Sequence, residues 1–465
     1  MTYDQAVAYL FTLGRELASP QQARAAKFDL VNIRAVSQRL GNPERAFPSV
    51  HIAGTNGKGS TAAMLASILQ KAGLRAGLYT SPHLLRINER IRLDGVDIDD
   101  ADFAETFDRV HAVIEELLAT GALLAHPTFF ECVTAMAFDF FARKEVDLAV
   151  IEVGMGGRLD STNVIAPEVA IITQIDFDHE NFLGHSIEEI AREKAGIIKP
   201  EAWVVSAASH PAAQKVIRQR AAEQNARLVE VDAVCVASNL RSEDGRYRFT
   251  ATTNLPGSAT GATAATSATE IRLPLAGRFQ VRNALTAIVA ARLLAERGFP
   301  VDDAAISGGL AEVRWAGRLE RLQERPAVYL DGTHNPAGSR ELVAFWDEQF
   351  AGRRIHLVYG AMRDKAVDEV AGLLFPRATS VILTQSRQPR ALSADALAAM
   401  TRHLAGSIEV IPEPSAALER ALESAAPEDV IFVTGSLYLV GDLRRYWDSR
   451  LGVEASGAVQ QVRRG

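Results

Sequence analysis

The sequence contains little cysteine, no long apolar run and no excess of basic charge. Its 465 residues include only two cysteines, Cys132 and Cys235, and their spacing is not that of a metal-ligand pair. Such a low cysteine content is typical of proteins in a reducing compartment. No apolar run reaches the roughly 18 residues that a membrane-spanning helix needs. The segment Met1 to Leu17 is amphipathic and contains acidic residues, unlike a signal peptide. We therefore expect a cytoplasmic protein with no membrane partner.

The charge balance excludes a general affinity for nucleic acid. Fifty basic residues against 57 acidic ones give a net charge of −7, which does not attract a phosphate backbone or an anionic membrane. Any anion is then expected at a local site. The chain is longer than one hydrophobic core usually supports, so two or three domains are expected, in a protein that we expect to be a monomer.

Strand-like apolar runs alternate with helical runs, a pattern typical of parallel sheets covered by helices. In the first part of the chain, strands are predicted at 50–53, 75–79, 148–153, 169–175 and 203–207, and helices at 61–72, 129–143, 187–194, 283–297 and 302–313. Further strands are predicted at 327–330, 354–359, 380–383 and 430–433. The predicted fold class is α/β, with an N-terminal P-loop-type parallel-sheet ATPase domain (1–316) and a smaller Rossmann-like C-terminal domain (317–465).

The stretch 251–270 consists almost entirely of Ala, Thr, Gly and Ser. Such a composition buries little apolar area, so a mobile loop between strands is predicted there. We expect no functional role for it.

A glycine-rich segment between a strand and a helix is the most informative feature. Gly54-Thr55-Asn56-Gly57-Lys58-Gly59-Ser60 follows the strand at 50–53. Glycines let backbone N–H groups turn toward an anion, the helix start adds a positive dipole end, and lysine adds charge for the β/γ phosphates. The hydroxyls of Ser60 and Thr61 suit Mg²⁺. Because Ile52 and Gly59 depart from the common P-loop pattern, a glycine-rich turn with a solvated lysine remains the alternative.

Polar residues also follow two of the predicted strands, at the sheet edge where α/β proteins bind ligands. Glu152 ends one strand, and Asp176, Asp178 and His179 follow the next. Glu152 and His179 are predicted to share a magnesium ion, with a capping role for Glu152 and a structural role for His179 as alternatives. Asp176 and Asp178 are predicted to cap the following loop.

Several further motifs follow the glycine-rich loop. They are Ser81-Pro82-His83-Leu84, Glu152-Val153-Gly154-Met155-Gly156-Gly157-Arg158-Leu159-Asp160, Asp178-His179, Arg192-Glu193-Lys194-Ala195-Gly196-Ile197 and Asp331-Gly332-Thr333-His334-Asn335-Pro336. With the loop they run to Gly435-Ser436-Leu437-Tyr438 and cover most of the chain. In their order and approximate spacing, these motifs resemble the folylpolyglutamate synthase and dihydrofolate synthase branch of the Mur ligases.

The resemblance implies an ATP-dependent amide ligase that uses ATP, L-glutamate and a folate or dihydropteroate, with two Mg²⁺ ions. A substrate carboxylate attacks the γ-phosphate, and the glutamate amine then displaces phosphate from the acyl phosphate. The implied nucleotide-binding residues are Thr55, Asn56, Gly57, Lys58, Gly59, Ser60, Asn283, Arg318 and Asp331. The implied metal ligands are Ser81, Glu152 and His179, and the implied catalytic residues are Lys58, His179 and Lys194.

The resemblance further implies that Lys194 is carbamylated and faces a second magnesium; the alternative is a helix lysine paired with Glu188, Glu189 or Glu193. His334 is expected near the nucleotide or the glutamate, while Asn335 and Pro336 shape a turn. For the pteroyl group, the implied residues are Thr128, Phe129, Phe130, Glu131, Leu159, Asp160 and Ser161, with ordinary core packing as the alternative for the aromatics.

Two other functions are weighed against this one. Thr173-Gln174-Ile175-Asp176 vaguely resembles the guanine-reading segment of a P-loop GTPase, but the lysine that such a segment requires is absent. A Mur ligase acting on a cell-wall precursor or on polyglutamate is closer. The Ser-Pro-His-Leu and Lys-Ala-Gly-Ile variants disfavour it.

Overall fold

The computed structural model describes residues 1–13, 29–255, 266–363 and 365–452. Its largest element is an eight-stranded sheet whose central strands are parallel and covered by helices on both faces. The strands are β1 (Ser49–Ala53), β2 (Ala76–Tyr79), β3 (Ile91–Leu93), β4 (Val96–Asp97), β5 (Leu148–Glu152), β6 (Val169–Ile172), β7 (Trp203–Ser206) and β8 (Arg227–Glu230), in the order β4-β3-β2-β5-β1-β6-β7-β8. Within the described ranges, the antiparallel pairs of this sheet are β2 with β3 and β3 with β4, at one edge.

The first helices of the chain are α1 (Tyr3–Thr12), α2 (Val31–Arg39), α3 (Lys58–Lys71), α4 (Asp100–Ala119), α5 (Phe129–Arg143), α6 (Glu180–Leu183), α7 (Ile187–Ala195), α8 (Pro211–Glu223) and α9 (Val231–Val234). Helix α3 packs Met64, Leu65 and Ile68 onto one face of the large sheet. Helix α5 covers the opposite face with Phe138 and Phe141. The apolar strands therefore lie between two helical layers, which fixes the carboxyl ends of β1, β2, β5 and β6 at one edge.

A three-stranded antiparallel sheet follows, made of β9 (Cys235–Glu243), β10 (Arg246–Asn254) and β11 (Thr266–Leu273). The prediction of a loop over 251–270 is therefore wrong for residues 251–254 and 266–270, while 256–265 lie outside the described residues. Along β10 and β11 buried residues alternate with more exposed ones, and Ala251, Thr253 and Thr269 are among the buried residues. The compositional argument missed this period of two.

Helices α10 (Phe279–Glu296) and α11 (Asp303–Glu312) lead into a six-stranded sheet. Its strands are β12 (Glu320–Glu324), β13 (Ala327–Leu330), β14 (Ile355–Tyr359), β15 (Ser380–Leu383), β16 (Ile408–Val410) and β17 (Val430–Thr434), in the order β12-β13-β17-β14-β15-β16. All pairs are parallel except β12 with β13. The α/β prediction is confirmed, including the second parallel sheet.

The helices around this second sheet are α12 (Pro336–Gln349), α13 (Val367–Leu374), α14 (Ala394–Thr401), α15 (Pro414–Ser424) and α16 (Leu437–Arg450). Short 3-10 turns lie at Pro43–Arg45, Ile87–Arg90, Ser161–Val164, Phe375–Arg377 and Arg402–Leu404. Within the described ranges, no helix combines the length and apolarity that crossing a bilayer requires.

Candidate active site

The glycine-rich loop joins β1 to α3, and its backbone requires glycine at two positions. Gly54 has φ +153°, and a Cβ there would lie 1.8 Å from the Thr173 hydroxyl oxygen. Gly57 has φ +88° at the helix N-cap, and a Cβ there would lie 2.4 Å from Asn283 Oδ1. The loop is therefore fitted closely against the end of β6 and against α10, and residues 56–59 at the start of α3 are partly exposed.

Two lysines converge beneath this loop. Lys58 Nζ donates to the Gly54 and Thr55 carbonyls at 3.0 and 3.2 Å, and Lys194 Nζ donates to the same Gly54 carbonyl at 2.8 Å. Among the described residues, neither ammonium has a carboxylate within 4.0 Å. Burial lowers the pKa of both, that of Lys194 to about 7. Both Nζ groups thus lie against the loop, and their direct partners are backbone carbonyls.

The interpretation of Lys194 as a helix lysine paired with a neighbouring glutamate is wrong. Glu193 pairs with Arg158, and the Glu189 carboxylate accepts from the backbone of His185 and Ser186. Lys194 is instead 4% exposed and points from α7 toward the glycine-rich loop.

Glu152 ends β5, in register with Ile52 of the neighbouring β1. It is 4% exposed, and its Oε2 accepts from the backbone N–H of Ser81 at 3.2 Å. Burial raises the pKa of Glu152, while the positive charge of Lys58 opposes that rise. Ser81, Glu152, Gly59 and Arg318 line one narrow cleft beside the loop. A buried carboxylate at a cleft that also contains a serine hydroxyl suits a hard cation such as Mg²⁺.

His179 follows β6 and begins α6 with φ +52°. Its Nε2 lies 3.4 Å from Lys365 Nζ and 3.8 Å from Asp178 Oδ2. The structure therefore places this predicted metal ligand in a polar cluster with Asp178 and with Lys365, which lies between β14 and α13.

Asp178 is the centre of that cluster. It pairs with Lys365 at 2.7 Å, accepts from Asn335 Nδ2 at 3.3 Å, and lies 3.6 Å from His334 Nε2. Burial alone would raise the pKa of Asp178, but His179, Lys365 and His334 hold it well below its usual value. Asp178 also caps its own loop, as predicted, by accepting from His179 N at 2.9 Å.

Sequence reasoning missed Lys365, although a signal was present. Lys365 follows β14, at the carboxyl end of a parallel strand of the second sheet. The same strand-end rule that selected Glu152 and His179 would have selected it.

Asn335 does more than shape a turn. Its Oδ1 caps α12 by accepting from Gly338 N at 2.8 Å, and its amide exchanges two hydrogen bonds with the Asn56 side chain, at 2.9 and 3.2 Å. The segment between β13 and α12 therefore contacts the glycine-rich loop directly.

Asn283 and Asp331 occupy different surroundings. Asn283 donates to Gln280 Oε1 at 2.9 Å, and Gln280 in turn donates to the Ser60 hydroxyl at 3.3 Å, so Asn283 lies against the loop. Asp331 is 3% exposed, and its two carboxylate oxygens accept from Leu319 N and Thr333 N at 2.9 and 3.0 Å. Asp331 thus holds the backbone next to Arg318 in place.

Most of the residues predicted to bind the pteroyl group have structural partners. Thr128 and Glu131 cap α5 reciprocally, at 2.7 and 3.2 Å. Phe129 is 2% exposed and stacks on Phe11 at 6.0 Å. Burial raises the pKa of Glu131.

The other predicted pteroyl-binding residues lie around the Gly154 turn. Asp160 accepts from Met155 N at 2.8 Å and from the Thr162 hydroxyl at 2.5 Å, Ser161 is buried, and Leu159 is half-buried. Phe130 is also half-buried, so close to Gly154 that a Cβ there would lie 2.5 Å from its ring. Phe130 is therefore the aromatic that borders the turn after β5.

The chain matches the Mur ligase middle domain over residues 101–291 and the Mur ligase glutamate ligase domain over residues 317–437. It is 36% identical over 423 residues to a Bacillus subtilis dihydrofolate synthase/folylpolyglutamate synthase, covering 90% of this chain and 94% of that protein. The chain belongs to the folylpolyglutamate synthase/dihydrofolate synthase family. It is thus an ATP-dependent ligase, which removes the GTPase alternative.

Solved structures agree with this assignment. The Escherichia coli FolC in complex with DHPP and ADP has a TM-score of 0.82 and 29% identity, covering 97% of this chain and 99% of that one. A bifunctional folylpolyglutamate synthase/dihydrofolate synthase from Yersinia pestis, complexed with AMPPNP and Mn, has a TM-score of 0.79 and 30% identity, covering 97% and 98%. The fold of this family member therefore matches those of nucleotide-bound relatives.

Proposed function

We propose that this protein joins L-glutamate to a folate, to dihydropteroate, or to both, with ATP converted to ADP and phosphate. The observation that carries the proposal is the pair of lysines on the Gly54 carbonyl, beside a cleft that contains Ser81, Glu152 and Arg318. In such a site Lys58 offers positive charge for the phosphates, Lys194 offers an amine for modification, and Ser81 and Glu152 offer oxygen ligands for a metal, in a family whose members are folate–glutamate ligases.

The chemistry proceeds in two steps. A carboxylate oxygen of the pteroyl substrate attacks the γ-phosphorus, the bond to the β-phosphate oxygen breaks, and ADP leaves an acyl phosphate. The glutamate amine then attacks the acyl carbon and loses a proton, and inorganic phosphate departs with one of the original carboxylate oxygens. Lys58 offsets charge on the β/γ phosphates, since positioning and electrostatics dominate catalysis of phosphoryl transfer.

The nucleotide is proposed to bind along Thr55, Asn56, Gly57, Lys58, Gly59 and Ser60, with Asn283, Arg318 and Asp331 nearby. Asn283 supports this role through its contact with Gly57, and Arg318 through its place in the cleft. Asp331 supports it by fixing the segment that follows Arg318.

Ser81, Glu152 and His179 are the proposed magnesium ligands. Glu152 fits this role because a bound cation would offset the cost of burying its carboxylate. When bound, magnesium neutralises charge on the phosphate oxygens. A second ion is proposed at Lys194.

Lys194 is proposed to carry a carbamate. The ammonium first loses a proton; the neutral amine then attacks carbon dioxide, a C–N bond forms and a second proton leaves, so that the cation becomes an anion. The pKa of about 7 leaves a large neutral fraction near pH 7, and the carbamate nitrogen keeps one hydrogen for the Gly54 carbonyl. The change of charge converts a group that repels a metal into one that attracts it.

Around these groups we propose a pteroyl site bordered by Phe130 and Leu159, with Thr128, Phe129, Glu131, Asp160 and Ser161 holding the surrounding backbone and helix. We also propose a domain division at 316/317, a monomeric enzyme and a cytoplasmic location. Arg318 next to the division suits a residue that meets ATP when the two halves close.

An ADP-release assay with single omissions tests the proposal. We expect ADP only when ATP, magnesium, glutamate and a pteroyl acceptor are all present, with dihydropteroate and a reduced folate tested separately. ADP release that needs a cell-wall precursor, or that proceeds without glutamate, would contradict it.

A further inference from the structure

Outside the ATP site, two histidines and a glutamate meet on the surface of the N-terminal part of the chain. His111 and Glu115 lie one turn apart on α4, and His126 lies in the segment between α4 and α5. One ligand atom from each lies within 4.8 Å of the other two. Three ligand atoms bound to one tetrahedral zinc at about 2.0–2.1 Å lie about 3.4 Å from one another. A small movement of the side chains would bring these three ligand atoms to that spacing.

The ring of His126 is already oriented as a metal ligand. Its Nδ1 lies 2.7 Å from the Pro127 carbonyl oxygen, which can only accept, so Nδ1 carries the hydrogen. In the neutral ring Nε2 then has the free electron pair. In zinc-bound histidines, the ring nitrogen that does not bind the metal commonly donates a hydrogen bond to a backbone carbonyl or a carboxylate.

His111 is oriented by ring packing. Its imidazole stacks on Phe107 at 5.3 Å and 15° and contacts the ring of Tyr9 at 4.6 Å. Its Nδ1 lies 3.8 Å from Glu115 Oε1, close to the spacing expected for two ligands of one ion. Glu115 is exposed, so a rotation of its side chain can turn the carboxylate toward a cation.

Tyr9 occupies the point where the three residues meet. Its hydroxyl oxygen lies 3.1 Å from His126 Nε2, and Glu115 is one cause of the raised pKa of Tyr9, after burial. In a metal-bound state, Nε2 binds the ion in place of this hydrogen bond.

We propose that His111, Glu115 and His126 form a site for a divalent transition-metal ion of the zinc class, separate from the magnesium and ATP site. Two imidazoles and a carboxylate suit zinc far better than magnesium. The ion would fix the segment 120–128 onto α4, next to Thr128 and the start of α5. The site therefore stabilises the N-terminal part of the molecule and takes no part in phosphoryl transfer.

The test measures Zn²⁺ binding to the full-length, chelator-stripped protein by competition with a chromophoric indicator, with excess Mg²⁺ present. We expect one zinc to bind to the wild type and to raise Tm. We expect the Kd to weaken by about tenfold or more in Glu115→Gln and in His126→Gln. Glu115→Gln changes an exposed side chain, so its loss of binding is not a failure to fold.

His403→Gln is the matched control, because His403 is an exposed histidine in the 3-10 turn Arg402–Leu404, far along the chain from this cluster. It should bind zinc as the wild type does. Co²⁺ provides a second readout, since tetrahedral cobalt absorbs strongly in the visible and both site variants should lose that band. The proposal is overturned if the wild-type protein binds no zinc, or if zinc binding is unchanged in the two site variants. Either result would mean that the three side chains form only hydrogen-bonding and packing contacts.

Discussion

Lys58 and Glu152 are proposed to act on charge that develops during phosphoryl transfer. Lys58→Ala removes a cation from the loop, and Glu152→Gln keeps the shape of a buried side chain while removing its charge. We expect each to lower kcat by roughly a hundredfold, which corresponds to about 3 kcal/mol of lost transition-state stabilisation. Steady-state ADP release measures this.

Lys71→Ala is a suitable control for Lys58→Ala, because Lys71 ends the same helix and pairs with the exposed Glu312. Its kcat should stay near that of the wild type. Wild-type turnover in Lys58→Ala or in Glu152→Gln would remove that residue from the proposed mechanism.

Substitutions of Lys194 test the proposed carbamate directly. Lys194→Ala should be inactive and partly rescued by short carboxylic acids that fill the vacated space with an anion. Lys194→Arg should stay inactive, because a guanidinium cannot be carbamylated and remains a cation. Full activity of the arginine variant would defeat the carbamate while leaving the ligase assignment intact.

At the level of residues, sequence motifs selected the glycine-rich loop, Glu152 and Lys194. In the structure Lys194 contacts that loop, and Glu152 lines the cleft beside it. They did not show what else these side chains contact. Thr128, Glu131 and Asp160 have polar groups that could meet a pterin, yet the structure uses them for helix capping and for a turn. Such local partners depend on backbone geometry, which a motif does not contain.

Among the elements, the turn from β1 into α3 offers a controlled test of loop geometry. Gly57 and Gly73 flank α3, and both have positive φ, +88° and +81°. A Cβ at Gly57 would collide with Asn283, whereas a Cβ at Gly73 would meet nothing within 4 Å. Each alanine variant should cost about 1 kcal/mol in backbone strain.

Only Gly57→Ala should also displace the loop. We expect its KM for ATP to rise, or its kcat to fall, by roughly tenfold or more, because small misplacements of a phosphate-positioning group are costly. Gly73→Ala should retain wild-type kinetics with a lower Tm. Equal kinetics in both variants would show that the Asn283 contact does not shape the nucleotide site.

The elements also show where pattern reading fails. Long apolar runs predicted β1, β5, α5 and four strands of the second sheet, β13, β14, β15 and β17, because buried elements leave a strong apolar signal. The antiparallel β9–β11 sheet is half-exposed, and its buried positions include alanine and threonine. Composition alone suggested a loop there, since the apolar signal is weak.

At the scale of the whole molecule, two ion pairs join residues of α12 and of the segment between β14 and α13 to the loop after β6. Lys365–Asp178 is nearly buried, with each side chain 10% exposed, whereas in Arg340–Asp176 the side chains are 54% and 33% exposed. Removing one partner of a buried pair leaves an uncompensated charge, while an exposed pair contributes about 0–1 kcal/mol.

We therefore expect Lys365→Met to lower Tm and to reduce kcat/KM by roughly a hundredfold. Arg340→Met should change kcat/KM by less than about fivefold. Measuring both variants under identical conditions separates a specific interdomain role of Lys365 from a general effect of removing cations. Similar small losses in both would contradict that role.

The most direct test of the account follows the oxygen atoms of the substrate carboxylate. The pteroyl substrate is labelled with heavy oxygen in its reacting carboxylate and incubated with ATP, magnesium and L-glutamate, and both products are analysed by mass spectrometry. The account predicts a pteroyl product extended by glutamate and one labelled oxygen in the released phosphate. Unlabelled phosphate, or ADP formation without a glutamylated product, would contradict it.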